Sequence, residues 1–186
     1  MIDYKKYINE VQDFPKEGIS FKDISPLLSD RAVFKKVIDE MGNLVASPAR
    51  VFHLSSTWMD VPDYWVGIDS RGFIFASALS YAFGGGVVMC RKANKLPPTV
   101  LSYSYKTEYS EDTLQIKQGN GKVVIVDDVL ATGGTMAATD YLCKTAGYDV
   151  VDHLVLIDLK YIPLIEHSAH LGKFNLEVKS LVEYGE

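Results

Sequence analysis

The strongest chemical signal in the chain is the string VVIVDDVLATGGT, which covers Val123 to Thr135. An apolar run ends in two adjacent acids, and a turn of small and hydroxyl-bearing residues leads into a predicted helix. Gly133 and Gly134 allow a ligand to approach the backbone closely, and the free N–H groups of the helix start can cradle a phosphate. Asp127 and Asp128 could accept hydrogen bonds from the hydroxyls of a sugar. The string therefore predicts a site for a phosphorylated sugar.

A purely structural role is the alternative for this string. It would then be a glycine-containing turn from a strand to a helix, with Asp127 or Asp128 as a cap. Two common nucleotide motifs do not occur in the chain, namely GxxxxGK[ST] and GxGxxG. Hydrolysis of nucleoside triphosphates and binding of dinucleotides therefore lose their usual sequence support.

Composition limits the partners of such a site. The chain has 186 residues, a formal net charge of −5 and 47% apolar residues. This length fits one compact domain, and the charge gives no global positive field for nucleic acid or anionic membranes. No apolar run approaches the roughly 18 residues that a membrane span needs, and the N-terminus lacks a signal-peptide core. We therefore expect a soluble, cytoplasmic protein that holds anionic ligands by local charges.

Cysteine and histidine residues give no sign of a metal centre. Cys90 and Cys143 are 53 positions apart and belong to no Cys/His cluster, so we expect two buried, reduced thiols. The four histidines are interpreted as surface residues or as hydrogen-bonded residues of the core, and no metal site is predicted from them.

Strands and helices alternate from residue 64 onward. Most of the strands are apolar on both faces, which is typical of a parallel sheet covered by helices on both sides, and its ligands should lie beyond the carboxyl ends of the strands. The predicted strands are Tyr64–Asp69, Gly86–Cys90, Lys122–Asp127 and Val150–Asp158, and the predicted helices are Gly72–Phe83 and Thr135–Ala146.

The N-terminal part is predicted to contain two helices. Tyr4, Ile8 and Val11 have helical spacing within residues 2–12, and a second helix is predicted from Asp30 to about Val45, with Ser29 or Asp30 as its N-cap. The sequence gives no firm assignment for residues 48–62 and no role for residues 160–172.

Three further segments narrow the interpretation. They are Asp13–Leu28, which contains FPKEGISFKDISPLL, then Gly67–Phe73, which reads GIDSRGF, and Arg91–Pro97, which reads RKANKLP. Together with the string at 123–135, their order and spacing resemble the adenine phosphoribosyltransferase family, one of the type I phosphoribosyltransferases. The resemblance covers most of residues 13–159.

The resemblance implies a fold and a reaction. The fold is an α/β, type I phosphoribosyltransferase fold in one domain of residues 1–186, with a central parallel β-sheet flanked by helices. Residues 1–28 contribute to a small hood, for which Lys173–Glu183 is a further candidate. The reaction transfers the phosphoribosyl group from phosphoribosyl pyrophosphate to adenine, with Mg²⁺ held mainly through phosphoribosyl pyrophosphate. The family also implies a homodimer, in which residues near Arg91 reach the partner's site.

Site residues follow from the same resemblance. Glu108 is the implied general acid/base that moves the purine proton. Ser20 and Phe21 are implied to bind adenine, Phe21 by stacking and Ser20 through its backbone. The ribose hydroxyls are assigned to Asp127 and Asp128, the 5-phosphate to Ala131, Thr132, Gly133, Gly134 and Thr135, and the pyrophosphate to Ser70, Arg71, Arg91, Lys92 and Lys95. A cis peptide near Asp69 and Ser70 is also implied, and residues 93–110, here called the lid segment, are expected to form a mobile lid over the site.

The chain departs from the family pattern at several positions. Ser20 stands where an apolar residue is common and Lys22 where arginine is common, and Lys106, Thr107 and Ser110 differ within the lid segment. A hydroxyl contact from Ser20 to the base could shift the base preference, whereas recognition through the backbone would make this change harmless. Three alternatives remain: a transferase for hypoxanthine, guanine or xanthine, a regulator that senses phosphoribosyl pyrophosphate and binds nucleic acid, and an inactive structural dimer.

Overall fold

A seven-stranded sheet forms the centre of the computed structural model, which describes residues 2–45, 61–106, 111–164, 167–168, 172–173 and 177–185. The described helices are α1 (Ser25–Ser29), α2 (Arg31–Val45), α3 (Gly72–Phe83) and α4 (Gly134–Thr145). The described strands are β1 (Asn9–Val11), β2 (Phe21–Asp23), β3 (Tyr64–Ile68), β4 (Gly86–Lys92), β5 (Leu101–Lys106), β6 (Glu111–Ile116), β7 (Gly121–Leu130), β8 (Tyr148–Leu159), β9 (His167–Ser168), β10 (Gly172–Lys173) and β11 (Lys179–Tyr184).

The order of the strands in the central sheet is β11-β8-β7-β3-β4-β6-β5. Neighbours from β11 to β4 run parallel, and the hairpin of β5 and β6 joins β4 in antiparallel fashion. The predicted fold class, a largely parallel sheet flanked by helices, is therefore confirmed.

The central strands β3 and β7 are buried on both faces. Successive side chains of a strand point to opposite sides, so each of these strands contributes to two cores. On one face, Trp65 of β3 and Val124 of β7 pack in a core with residues of α2 and α3. On the other face, Val66 of β3 and Ile125 of β7 pack with residues of α4. This double burial explains why the central strands are continuous apolar runs in the sequence.

The predicted strands and helices from residue 64 to 159 are confirmed, with ends that differ by a few residues at most. Helix α3 begins and ends where the sequence predicts it. Helix α2 begins after Asp30, whose Oδ1 accepts hydrogen bonds from the backbone N–H groups of Ala32 and Val33 at 2.9 and 3.0 Å, so Asp30 is the predicted N-cap. Both cysteines are buried and free, as predicted, and burial raises the pKa of Cys90 to about 12.

The helix predicted for residues 2–12 is wrong. A 3₁₀ turn at Tyr4–Tyr7 is followed by β1, which pairs in antiparallel fashion with β2. Tyr4 and Ile8 are buried, but Val11 is 41% exposed. The pairing of β1 with β2 thus overrides a helical spacing that only three apolar residues supported.

Two other expectations change. The lid segment is expected to form a mobile lid, but Leu101–Lys106 form β5, which pairs with β6 in the central sheet. The C-terminal candidate for the hood contains β11, which instead pairs in parallel with β8 at the opposite edge of that sheet. Within the described residues, every helix is too short or too polar to cross a membrane.

Candidate active site

The loop that follows β3 meets the carboxyl-terminal parts of the neighbouring strands β4 and β7. Two ion pairs join them: Arg71 Nε lies 2.9 Å from Asp128 Oδ2, and Arg91 Nε lies 3.2 Å from Asp69 Oδ2. Residues from three separate segments of the sequence are therefore brought to one place. This edge of a parallel sheet is where ligands of such folds bind.

The turn between β7 and α4 has the geometry of an anion cradle. Gly133 has a φ of +79°, which favours glycine, and α4 begins at the next residue. Its first N–H groups have no acceptor within the helix, and the positive end of the helix dipole lies at the same point. Residues 131–135 remain partly exposed, so a ligand can reach them. The turn can hold a phosphate group.

The two acids at the end of β7 lie in a desolvated environment. Asp128 is 4% exposed, and Asp127 Oδ1 accepts a hydrogen bond of 2.9 Å from the backbone N–H of Asp128. Burial, and then the charge of Asp128, raises the pKa of Asp127 well above its usual range. Burial also raises the pKa of Asp128, although the Arg71 guanidinium opposes this shift. Both side chains would gain from polar ligand atoms such as sugar hydroxyls.

Arg71 connects Asp128 of β7 with the N-terminal segment, a name used here for residues 9–23, which contain β1 and β2. Its guanidinium carbon lies 4.8 Å from the centre of the Phe21 ring, and its Nη1 donates a hydrogen bond of 3.5 Å to the carbonyl oxygen of Lys22. Asp128 Oδ2 is 2.9 Å from Arg71 Nε but accepts no hydrogen bond from the described residues. This acid therefore keeps a free acceptor beside a cation.

The end of β4 adds further cationic groups. Arg91 pairs with Asp69, donates a hydrogen bond of 3.1 Å to the carbonyl oxygen of Lys95, and lies over the Phe73 ring. The side chains of Lys92 and Lys95 are exposed. The Asp69–Ser70 peptide bond is cis, as the resemblance implied.

The N-terminal segment places an aromatic pair beside Arg71. Phe14 meets the Phe21 ring edge-on, with ring centres 5.2 Å apart and Phe14 itself half exposed. Ser20 Oγ accepts hydrogen bonds from Gln12 Nε2 at 3.3 Å and from Lys22 Nζ at 3.5 Å. The two departures from the family pattern at 20 and 22 therefore contact each other.

Lys22 is held away from solvent. It is 5% exposed, its Nζ lies 2.9 Å from Glu10 Oε1, and the same atom lies 4.4 Å from the centre of the Tyr184 ring. The cation is thus paired and packed, which compensates for its burial. Through Tyr184, the N-terminal segment contacts the last strand of the central sheet.

The predicted acid/base Glu108 lies outside the described residues. Strand β5 ends at Lys106, two residues before it. All the other predicted site residues are described, and the contacts above bring Phe21, Arg71, Asp127 and Asp128 together. Within the part of the chain that the structure describes, the side chains of Lys92 and Lys95 form no hydrogen bond or ion pair with these four residues.

Three residues of the site were missed at the sequence level. Asp69 anchors Arg91, and its place after an apolar strand was the available signal. Gly72 lets α3 approach β7, since a Cβ there would lie 2.6 Å from the Val126 carbonyl oxygen and 3.2 Å from Asp127 Oδ1. Tyr105 contacts the turn of residues 131–135 through Thr135 at 3.1 Å; the sequence placed it in the lid segment as a tyrosine able to form hydrogen bonds, but gave it no partner.

Asp127 and Asp128 are suited to a metal ion that is also bound by the phosphates of a substrate. In the described part of the chain, no three side chains of His, Cys, Asp or Glu are grouped to hold a metal ion. Mg²⁺ usually binds through one or two carboxylates together with substrate phosphates. Asp127 and Asp128 offer such a pair, and the unsatisfied Oδ2 of Asp128 fits this arrangement.

Known proteins share both the sequence and the fold. The phosphoribosyl transferase domain family matches residues 53–161. The adenine phosphoribosyltransferase of Hydrogenovibrio crunogenus is 43% identical over 180 residues, which cover 96% of this chain and 95% of that protein. The crystal structure of adenine phosphoribosyltransferase from Thermoanaerobacter pseudethanolicus has a TM-score of 0.79 and 33% identity and covers 98% of both chains.

A third relative carries a ligand. Adenine phosphoribosyltransferase from Saccharomyces cerevisiae, crystallised with adenine and an imino-altritol bisphosphate, has a TM-score of 0.74 and 30% identity. The match covers 88% of this chain and 95% of the yeast chain. Full-length similarity in sequence and fold agrees with the phosphate turn, the paired acids and the arginines described above. The chain therefore belongs to the adenine phosphoribosyltransferases of the phosphoribosyl transferase family.

Proposed function

We propose that the chain transfers the 5-phosphoribosyl group of phosphoribosyl pyrophosphate to N9 of adenine, giving AMP and pyrophosphate. The bond between C1′ and the pyrophosphate oxygen breaks, and the bond between C1′ and N9 forms. The observation that carries the proposal is the contact of Arg71 with both Asp128 and Phe21. A cation between an acid and an aromatic ring suits a substrate pair in which pyrophosphate, ribose and a purine lie side by side.

Phosphoribosyl pyrophosphate would bind along the ends of β7 and β3. The turn of residues 131–135 holds the 5-phosphate through backbone N–H groups and the hydroxyls of Thr132 and Thr135. Asp127 and Asp128 accept hydrogen bonds from the ribose hydroxyls. Their raised pKa values support this role, because desolvated carboxyls gain from each hydrogen bond that the sugar donates.

The leaving pyrophosphate would be stabilised by cations of two loops. Arg71 and Arg91 provide planar donors, while Ser70, Lys92 and Lys95 add a hydroxyl and two mobile charges. Negative charge builds up on the pyrophosphate as the C1′–O bond breaks, so these groups act most strongly in the transition state. When bound, Mg²⁺ neutralises part of this charge; it would be held mainly by phosphoribosyl pyrophosphate, with Asp127 and Asp128 as the acids on its side.

Adenine would be held against Phe21 and read by the backbone of Ser20. The yeast relative, crystallised with adenine, supports the choice of base. Glu108 would take the proton from N9 as the base attacks C1′, which leaves AMP uncharged at the purine ring. Closure over the site by the part of the lid segment outside β5 would exclude water, the competing nucleophile.

We further propose a homodimer located in the cytoplasm. Four exposed apolar side chains on α3 and the neighbouring β4 support an interface there: Ile74, Tyr81, Val87 and Met89. Met89 and Arg91 point to the same face of β4, so this interface would extend to the pyrophosphate cations. Light scattering of the wild type and of Tyr81→Glu tests the dimer, and a monomeric wild type would contradict it.

The decisive test measures nucleotide formation from phosphoribosyl pyrophosphate, Mg²⁺ and each of adenine, hypoxanthine, guanine and xanthine. We expect AMP from adenine and a loss of turnover in Glu108→Ala and Asp128→Asn. Turnover only with another base would contradict the substrate and direct attention to Ser20 and Lys22. Tight binding of phosphoribosyl pyrophosphate with no turnover on any base would instead favour a sensor.

A further inference from the structure

We propose that Tyr105 is a positioning residue for the 5-phosphate: its hydroxyl donates a hydrogen bond to Thr135 Oγ1 and so directs the Thr135 proton to the phosphate. The inference rests on the proposed function, in which the turn of residues 131–135 holds this group. It also gives the lid segment a direct contact with the phosphate subsite.

The contact joins a buried phenol to a partly exposed hydroxyl. Tyr105 is 8% exposed, and its Oη lies 3.1 Å from Thr135 Oγ1. Thr135 is the second residue of α4, and its carbonyl oxygen accepts a hydrogen bond of 2.8 Å from Thr139 Oγ1. The backbone and the hydroxyl of Thr135 are therefore both held by neighbouring side chains.

Further contacts link Thr139 with the residues that are proposed to bind pyrophosphate. Thr139 Oγ1 lies 3.7 Å from Cys90 Sγ, and the carbonyl oxygen of Cys90 accepts a hydrogen bond of 2.9 Å from the N–H of Asp69. Asp69 in turn pairs with Arg91. A packed series of short contacts thus links the lid strand, the 5-phosphate turn and the pyrophosphate cations.

Hydrogen-bond chemistry fixes the direction of the Tyr105 contact once a phosphate is present. A phosphate dianion accepts hydrogen bonds and has no proton to donate, so Thr135 must donate its single hydroxyl proton to it. The oxygen of Thr135 can then only accept from its other neighbour, and Tyr105 is that neighbour. Burial raises the pKa of Tyr105, so the phenol stays protonated and able to donate.

The position of Tyr105 couples this contact to the lid segment. Tyr105 precedes Glu108 by three residues, a span of at most about 11 Å along the chain. The contact therefore ties strand β5, which is part of the lid segment, to the turn of residues 131–135.

The chain offers a matched control in Tyr103. It lies two residues earlier on the same face of β5 and packs against Tyr141 of α4, with ring centres 4.7 Å apart. Its hydroxyl is buried but has no hydrogen-bond partner among the described residues. Tyr103→Phe removes a phenol from the same strand without removing a contact to the turn.

The experiment compares Tyr105→Phe with Tyr103→Phe by calorimetric binding of ribose 5-phosphate and of pyrophosphate. We expect Tyr105→Phe to weaken ribose 5-phosphate about fivefold to tenfold, as for the loss of one hydrogen bond, and to leave pyrophosphate unchanged. Tyr103→Phe should leave both constants unchanged. In a Thr135→Val background, the effect of Tyr105→Phe should disappear, which a general loss of stability would not produce.

The outcomes separate the two proposals. If the wild type forms AMP and Tyr105→Phe binds ribose 5-phosphate as tightly as the wild type, the positioning role is overturned and the proposed function stands. If Tyr105→Phe weakens both ligands equally, the hydroxyl has a general structural role and the inference is also overturned. If the wild type neither forms AMP nor binds ribose 5-phosphate, the proposed function falls, and this inference with it.

Discussion

The Arg71 guanidinium carbon lies 4.8 Å from the centre of the Phe21 ring, so the arginine of the β3 loop covers the aromatic residue of the N-terminal segment. The same side chain pairs with Asp128. One residue therefore contacts the proposed subsites for the base and the ribose, and in the proposed reaction it also binds pyrophosphate. The predictions below test how far binding and chemistry depend on such shared contacts.

Arg71→Gln should lower kcat/KM for phosphoribosyl pyrophosphate by about 100-fold or more, because the cation proposed to stabilise the leaving group is lost. Arg71→Lys should recover part of this activity, since it keeps the charge but loses the planar fork and the ring contact. Steady-state kinetics checks both. The exposed Arg31→Gln is the control, and equal kinetics for Arg71→Gln and this control would remove Arg71 from the pyrophosphate site.

Asp127→Asn should stabilise the fold at neutral pH while weakening phosphoribosyl pyrophosphate binding. The folded-state pKa of Asp127 is raised, so the folded protein binds this proton more tightly than the unfolded chain does. Stability is then lost as pH rises above the unfolded pKa of 3.8 towards the folded value. Asparagine removes this loss, with an expected gain of about 0.5–2 kcal/mol at pH 8.

Urea unfolding at pH 5 and pH 8 checks the stability of Asp127→Asn, and the gain should be larger at pH 8. Asp149→Asn, an exposed acid at the other end of the neighbouring strand, is the control and should change little. A variant that is less stable than the wild type at pH 8 would show that the Asp127 carboxylate is better satisfied than its burial indicates.

Sequence patterns predicted the part of the fold that depends on burial. Strands such as Tyr64–Ile68 are covered on both faces, so their apolar runs are unambiguous, and α3 follows with both ends correct. Strand β5 was missed because it alternates Ser and Tyr residues beside charged neighbours, and one face of it packs on α4 only in the folded chain. Patterns of single segments cannot show such partners.

The candidate site also has a part that the sequence could predict and a part that it could not. The turn at 131–135 and the acids before it were recognisable because they are contiguous in sequence. The Arg91–Asp69 pair joins residues 22 positions apart, and Lys22 reaches Tyr184 across most of the chain. Only the folded chain brings these partners together, so the sequence could identify the charged groups without identifying the residues that they contact.

Gly72→Ala should destabilise the fold by about 1–3 kcal/mol, because the new Cβ would lie 2.6 Å from the Val126 carbonyl oxygen and backbone atoms must move. The shift would also disturb Asp127, so the KM for phosphoribosyl pyrophosphate should rise. Urea unfolding and kinetics check the two effects. Gly185→Ala meets no atom within 4 Å and serves as the control. Wild-type stability in Gly72→Ala would refute the close approach of α3 to β7.

Lys22→Met should raise the KM for adenine roughly threefold to tenfold with little change in the KM for phosphoribosyl pyrophosphate. The lysine ties the segment proposed to bind adenine to Glu10, to the Tyr184 ring and to Ser20 Oγ, and methionine keeps only its apolar stem. Lys22→Arg preserves the cation and should stay close to the wild type.

The control for Lys22 is Lys36→Met, which removes a half-exposed lysine of α2 that pairs with Glu40 at 3.6 Å. Surface pairs of this kind contribute little, so both KM values should stay unchanged. If Lys22→Met raised both KM values together, the lysine would support the whole site rather than the adenine segment. If neither value changed, the contacts of Lys22 would have no part in base binding, and the family's arginine at this position would be replaceable without cost.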